Sequence, residues 1–267
     1  MTRYLAPTAC LAVLTLALVG CATSSTRVNS DPYGLNAPRI ELIASQVKVP
    51  ITLDGVLSPQ EWGSAKAYPL AQPIQYIPDH TPPKMAVHYF KDKFETGTVR
   101  FLYDTENLYV GVQLEDSSLV QFAEENGGHL YQKGDLVEVF IKGEKTHEYW
   151  ELYGSPNNLR TAFFFHSRGF PILDRTEEST VRIAAKVKGT LNDFQDKDEG
   201  WSIEFRIPRT ELAKIGLNRP GNPITVLVAR YNYTYGSIQG GPRYSTLPKL
   251  PITNYHALEY YGRLLLK

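Results

Sequence analysis

Two stretches of this chain alternate apolar and polar residues strictly, and only an extended strand converts a period of two into one buried face. Leu108, Val110, Val112 and Leu114 interleave with Tyr109, Gly111, Gln113 and Glu115. Trp201, Ile203, Phe205 and Ile207 interleave with Ser202, Glu204 and Arg206 in the same way. Weaker patterns predict strands over residues 47–53, 84–90, 99–103, 136–141, 147–153, 161–166, 181–187, 225–233 and 262–266, about eleven in all. Helical signals are confined to two places. Ser58 before Pro59-Gln60-Glu61 supplies an N-cap with proline at the first position and Glu at the third, and residues 210–214 follow Pro208. The 20 Gly and 18 Pro are scattered between short apolar runs, as turns require. Strands so outnumber helices, without alternating with long ones, that the expected fold is all-β. It is an antiparallel β-sandwich, immunoglobulin-like or jelly-roll-like, forming one domain over residues 39–267.

The 28 basic and 28 acidic side chains cancel, which removes the electrostatic footprint that nucleic acid or an anionic membrane surface would need. The N-terminus is a different matter. Leu5 to Val19 is apolar but too short to span a bilayer comfortably, and it is preceded by Arg3 and followed by Gly20 and Cys21. Residues 1–20 therefore read as a signal peptide. The run Leu18-Val19-Gly20-Cys21 resembles the lipobox of bacterial lipoproteins, which predicts cleavage before Cys21 and its acylation. The expected contact with the membrane is that lipid anchor, in the cell envelope. Ala22 stands where a retaining Asp is absent, which favours the outer membrane over the inner. Residues 21–38, rich in Ser, Thr, Asn and Pro, suit a flexible tether. Cys10 leaves with the signal and Cys21 is consumed by lipid, so disulfides, Cys nucleophiles and Cys metal sites are excluded from the mature domain.

The common catalytic signatures are missing: there is no G-x-S-x-G, no phosphate loop, no G-x-G-x-x-G and no H-E-x-x-H. The 6 histidines are dispersed without a metal-ligand spacing. Glu115, Asp116, Glu138, Glu148, Glu151 and Glu204 are carboxylates from which a glycosidase pair would have to be drawn. Asp104, Asp116 and Asp135 sit at strand edges, where a structural calcium would find oxygen ligands; no cofactor is otherwise required. The aromatic residues carry more information, with 17 Tyr and 11 Phe. Sugars offer C–H patches on a ring face and hydroxyls at the rim, so a binder needs flat rings beside polar side chains. Residues 147–153 supply both kinds, as do residues 230–235. Trp150 is the expected stacking ring, with Glu151, Arg230 and Asn232 bonding hydroxyls and Tyr233, Tyr235 or Tyr255 closing the far side.

Several strings, taken in order, resemble the family 9 carbohydrate-binding modules and their relatives. They include Ile51-Thr52-Leu53-Asp54-Gly55 with Glu61-Trp62, Phe101-Leu102-Tyr103-Asp104, and Glu106-Asn107-Leu108-Tyr109-Val110. Gly134-Asp135-Leu136-Val137-Glu138, Trp150-Glu151-Leu152-Tyr153 with Ser155-Pro156-Asn157-Asn158, and Gly200-Trp201-Ser202-Ile203-Glu204-Phe205 continue the series to Tyr261-Gly262-Arg263-Leu264. The likeness runs from about Val49 to the C-terminus. It implies an antiparallel β-sandwich, sugar held between aromatic rings, calcium in some members and frequent attachment to xylan-degrading enzymes. The expected ligand is thus a polysaccharide or oligosaccharide of xylan or cellulose type, bound without catalysis beside neighbouring glycoside hydrolases. The family's best-known site resembles a clamp of two Trp. Trp62 and Trp201 read as core here, so a Tyr would replace the second plate. Two alternatives stand beside this reading: b-type haem held by Met85 and His88, as related sandwiches hold it, and glycoside hydrolysis by the carboxylates above.

Overall fold

Leu108, Val110, Val112 and Leu114 do form the inner face of a strand, and the fold is laid out around it. The computed structural model describes residues 39–72, 94–218, 222–234, 241–251 and 253–267. Cys21 and the tether, the strand expected over residues 84–90 with Met85 and His88, and Tyr235 lie outside them. Thirteen strands occur among the described residues. In chain order they are β1 (Glu41–Gln46), β2 (Tyr68–Pro69), β3 (Gly97–Tyr103), β4 (Asn107–Glu115), β5 (Leu136–Gly143), β6 (Tyr149–Gly154) and β7 (Arg160–Phe165). There follow β8 (Ile172–Asp174), β9 (Arg182–Lys188), β10 (Gly200–Pro208), β11 (Ile224–Asn232), β12 (Arg243–Leu247) and β13 (Gly262–Leu266). Two short helices, α1 (Pro59–Trp62) and α2 (Arg209–Lys214), fall where the capping signals put them.

The strands make one curled sheet in the order β8-β7-β6-β5-β11-β13-β1-β3-β4-β10-β9, folded into two layers. Strands β5, β6, β11 and β13 belong to the first layer and β3, β4 and β10 to the second. Between them pack Val137, Val139, Trp150, Leu152 and Val228 from one side and Phe101, Val110, Trp201, Ile203 and Phe205 from the other. The expectation of a purely antiparallel sandwich is corrected at β1. Residues 41–44 run parallel to β13, and residues 45–46 run parallel to β3. Parallel pairing needs long connections that return the chain to the same end, and neither neighbour of β1 adjoins it in sequence.

Residues 47–53 do not form the expected strand. They cross the outside of the second layer, where Ile51 packs with Trp62, Leu102 and Tyr109. The Thr52 amide donates to Glu61 Oε1 at 2.9 Å instead of to a ladder. Trp62 Nε1 donates to Glu204 Oε1 at 2.8 Å, while the amides of Asp54 and Gly55 donate to its other oxygen at 3.0 and 2.7 Å. Glu204 is thereby committed to the fold. Gly55 turns with φ +81°, and a Cβ there would lie 2.5 Å from the carbonyl carbon of Ala185. Gly111 on β4 lies under the Trp62 indole, whose ring carbons would sit 2.7 Å from an added Cβ. This face of the second layer is closed.

Candidate functional site

The outside of the first layer is built differently. On β5 and β6 the residues between the core positions are themselves large: Leu136, Glu138 and Phe140 on one, Tyr149, Glu151 and Tyr153 on the other. Phe163 and Phe165 on β7 and Leu227, Ala229 and Tyr231 on β11 extend the same surface. The register sets Phe140 opposite Glu151, Glu138 opposite Tyr153, and Phe163 on the other flank of Glu151. Glu138 and Glu151 are therefore diagonal neighbours on one face, a spacing that long side chains can reach across.

Segments outside the layer wall in this face. His129 and Tyr131 stand on one side, Thr253, Asn254, Tyr255 and His256 on another, with Tyr244 from β12, and the hollow they enclose is about 440 Å³. That falls within the range of small-ligand sites. Tyr131 stacks on Tyr231 with centroids 5.1 Å apart and planes at 26°. Tyr244 and Tyr255 meet Tyr231 edge-on at 5.1 and 5.7 Å. The outcome is a cluster of rings at fixed angles around two carboxyl groups.

Those carboxyl groups are buried, Glu138 to 1% and Glu151 to 5% exposure. Neither oxygen of Glu138 has a partner in good hydrogen-bond geometry, only the Tyr153 and Tyr231 hydroxyls nearby, and Glu151 Oε2 has none; the Tyr153 hydroxyl donates to Glu151 Oε1. Burial pushes Glu151 up to about 7 against the pull of that hydrogen bond. Burial, then repulsion from Glu151, raises Glu138 well above the usual carboxylate range. His256 brings no countercharge, because burial and then Arg168 lower its affinity for a proton. The Tyr149 hydroxyl accepts from the Gly169 amide at 2.9 Å and shares a hydrogen bond with His256 Nδ1 at 2.8 Å. The other ring nitrogen of His256, Nε2, lies 4.0 Å from Glu151 Oε2.

Of the residues expected from the sequence, Glu151 and Tyr255 line this hollow. Tyr233 stands behind it, its hydroxyl donating to the Tyr131 carbonyl at 2.6 Å. Trp150 and Arg230 are corrected, because alternation turns them to the other side of the layer. Trp150 is 1% exposed, packs in the core, and donates Nε1 to the Glu211 carbonyl at 2.9 Å. Arg230 is ion-paired with Asp116 at 3.1 Å inside the sandwich. Asn232 Nδ2 donates to Glu95 Oε2 at 2.8 Å, away from the rings. The sequence reading passed over Tyr131, Phe163 and Tyr244, took in Tyr153 and Tyr231 only as members of the stretches 147–153 and 230–235, and held Glu138 only as one carboxylate among several. Their signal is the failure of β5 and β6 to alternate with polar residues, which marks strands covered on both faces.

The three aspartates expected to ligate calcium do not fit that role. Asp104 accepts the amides of Glu106 and Asn107 at 2.7 Å and the Tyr109 hydroxyl at 2.7 Å; burial would raise its pKa, but these bonds together hold it below the usual value. Asp116 is taken by Arg230, and Asp135 accepts the amides of Val120 and Tyr233, each at 2.7 Å. Among the described residues no group of three or more His, Cys, Asp or Glu is placed to hold a metal ion.

Comparison with known proteins bears on this arrangement. A family model, carbohydrate family 9 binding domain-like, matches residues 53–267. A candidate carbohydrate-binding protein from Bacteroides uniformis covers 86% of this chain and 100% of its own, with a TM-score of 0.64 at 12% identity. A family 9 carbohydrate-binding module from Caldicellulosiruptor kristjanssonii, solved in complex with cellotriose, covers 85% of this chain and 93% of its own, with a TM-score of 0.52 at 14% identity. Among curated proteins none matches the chain.

Proposed function

Because this chain belongs to the carbohydrate family 9 binding domain-like family, we propose that its outer-face hollow binds a glycan and leaves every bond of it intact. The observation that carries this reading is the set of Tyr rings standing around Glu138 and Glu151 on an otherwise apolar sheet face. Flat rings receive the C–H face of a pyranose, and buried carboxyl oxygens without partners receive its hydroxyls. The cellotriose in the Caldicellulosiruptor module supports a β-linked glucan or xylan as the ligand class. Hydrolysis is disfavoured on physical grounds. A glycosidase keeps one carboxyl protonated and the other ionised by giving them contrasting surroundings, whereas burial here drives both the same way.

The lipobox-like run ending at Cys21 supports anchoring in the cell envelope, with the outer membrane favoured by Ala22. Held there, the domain would retain polysaccharide for uptake or for neighbouring glycoside hydrolases. Calorimetric titration of the full chain with cello- and xylo-oligosaccharides tests the binding site. Tyr131→Ala and Tyr255→Ala should each weaken binding about tenfold, with the fold verified by thermal melting. Absence of binding to every sugar, or wild-type affinity in both variants, refutes the site.

A further inference from the structure

The hollow contains two acidic groups, and among the described residues nothing is placed to neutralise them. Among the described residues no Lys or Arg pairs with Glu138 or Glu151, and the neutral His256 stands 4.0 Å from the latter. Three of their four oxygens have no partner in good hydrogen-bond geometry, with only the Tyr153 and Tyr231 hydroxyls close to Glu138. Around them stand aromatic faces, whose negative quadrupoles attract cations. A buried unpaired carboxylate is costly to keep in a fold, and the repulsion between these two adds to that cost. We infer that the ligand bears a protonated amine: an amino sugar whose ammonium group lies between Glu138 and Glu151, ringed by Tyr131, Tyr231 and Tyr255.

This rests on the glycan reading above and narrows it. A sugar hydroxyl brings one donor, whereas an ammonium brings three and a full positive charge. One ammonium can therefore bond both carboxylates at once, through charge-assisted bonds roughly twice as strong as neutral ones. The rings hold the rest of the pyranose as they would a neutral sugar. A uronic acid would bring a further carboxylate to two carboxyl groups whose neighbourhood already disfavours negative charge, and is rejected. The raised affinity of both carboxyl groups for protons agrees with a site whose proper counterion is the ligand.

The test is calorimetric titration of the full chain near neutral pH with four ligands. These are the β-1,4-linked trisaccharide of glucosamine, its N-acetylated counterpart, cellotriose, and choline as a cation without a sugar. The glucosamine trisaccharide should bind at least about tenfold more tightly than either neutral trisaccharide. Glu138→Gln and Glu151→Gln, which keep shape and remove charge, should each collapse that preference. If cellotriose binds as tightly as the glucosamine trisaccharide, the amine is wrong and the glycan reading stands. If choline binds and no sugar does, or if no ligand binds, both are overturned. A preference that survives both Gln variants removes it from this carboxylate pair. The comparison among ligands on the wild-type chain decides the matter even if a variant fails to fold.

Discussion

Arg230→Met should expose how the two layers are fastened. Nη1 of Arg230 on β11 donates to the carbonyls of Glu95 and Thr96 at 3.2 and 3.5 Å. Nη2 donates to the Glu115 carbonyl at 2.7 Å and to Asp116 Oδ2 at 3.1 Å, at the end of β4 in the opposite layer. Both side chains of the ion pair are buried, at 1% and 0% exposure. Removing the guanidinium strands the Asp116 charge, and breaking a buried pair in this way costs about 3–5 kcal/mol.

The pH dependence supplies the check. Burial raises Asp116, Arg230 lowers it and Glu95 raises it again, leaving it pushed up to about 6 from an ordinary 3.8. Asp135, also raised by burial and then by Asp116, is the other acidic neighbour. An acid with a raised native pKa binds more protons folded than unfolded. Its contribution to stability is full below the unfolded value of 3.8 and is lost as pH rises through about 6. That loss amounts to about 3 kcal/mol. The Met variant removes the largest of the attractions holding this pKa down and leaves only the Ser118 amide, so its deficit grows with pH. Urea unfolding of the wild type, Arg230→Met, Asp116→Asn and the double variant gives the coupling energy. It should exceed about 2 kcal/mol near pH 8 and shrink near pH 5, where Asp116 is protonated. A coupling below about 0.5 kcal/mol near pH 8, or one that grows on acidification, refutes the account.

Two further perturbations separate scaffold from site. Trp150→Ala should cost about 3–5 kcal/mol in urea unfolding as a core truncation, while Trp150→Phe should bind oligosaccharide like the wild type; loss of binding by a stably folded Phe variant would return Trp150 to the site. Gly111→Ala should cost about 1–3 kcal/mol by driving a methyl group against the Trp62 ring, and an unchanged urea midpoint would contradict the packing beneath that indole.

The sequence made some of this legible and hid the rest for identifiable reasons. Strict alternation in β4 and β10 declared which residues face the core, because each strand has a polar face to contrast with an apolar one. Strand β1 carries only Leu42 and Ala44 inward, too few to register as a period, and its parallel pairing is set by partners far along the chain. In β6 both faces are aromatic, so composition identified Tyr149-Trp150-Glu151-Leu152-Tyr153 as important without telling which ring faced out. The decision belongs to register: Trp150 lies opposite Ile141 and Phe164, both facing the interior, whereas Glu151 lies opposite Phe140 and Phe163 in the hollow. Tyr131 and Tyr244 reach the rings from separate segments, and no local pattern announces such a meeting.

The position of β1 has a mechanical consequence. The described chain enters its fold through the strand that both layers share, with rungs to β13 over four residues and to β3 over the next two, every one in the same direction. A pull on the backbone ahead of Arg39 runs along that strand, so its rungs must slide and rupture together and cannot peel apart singly. That is the arrangement in which load is divided among the bonds.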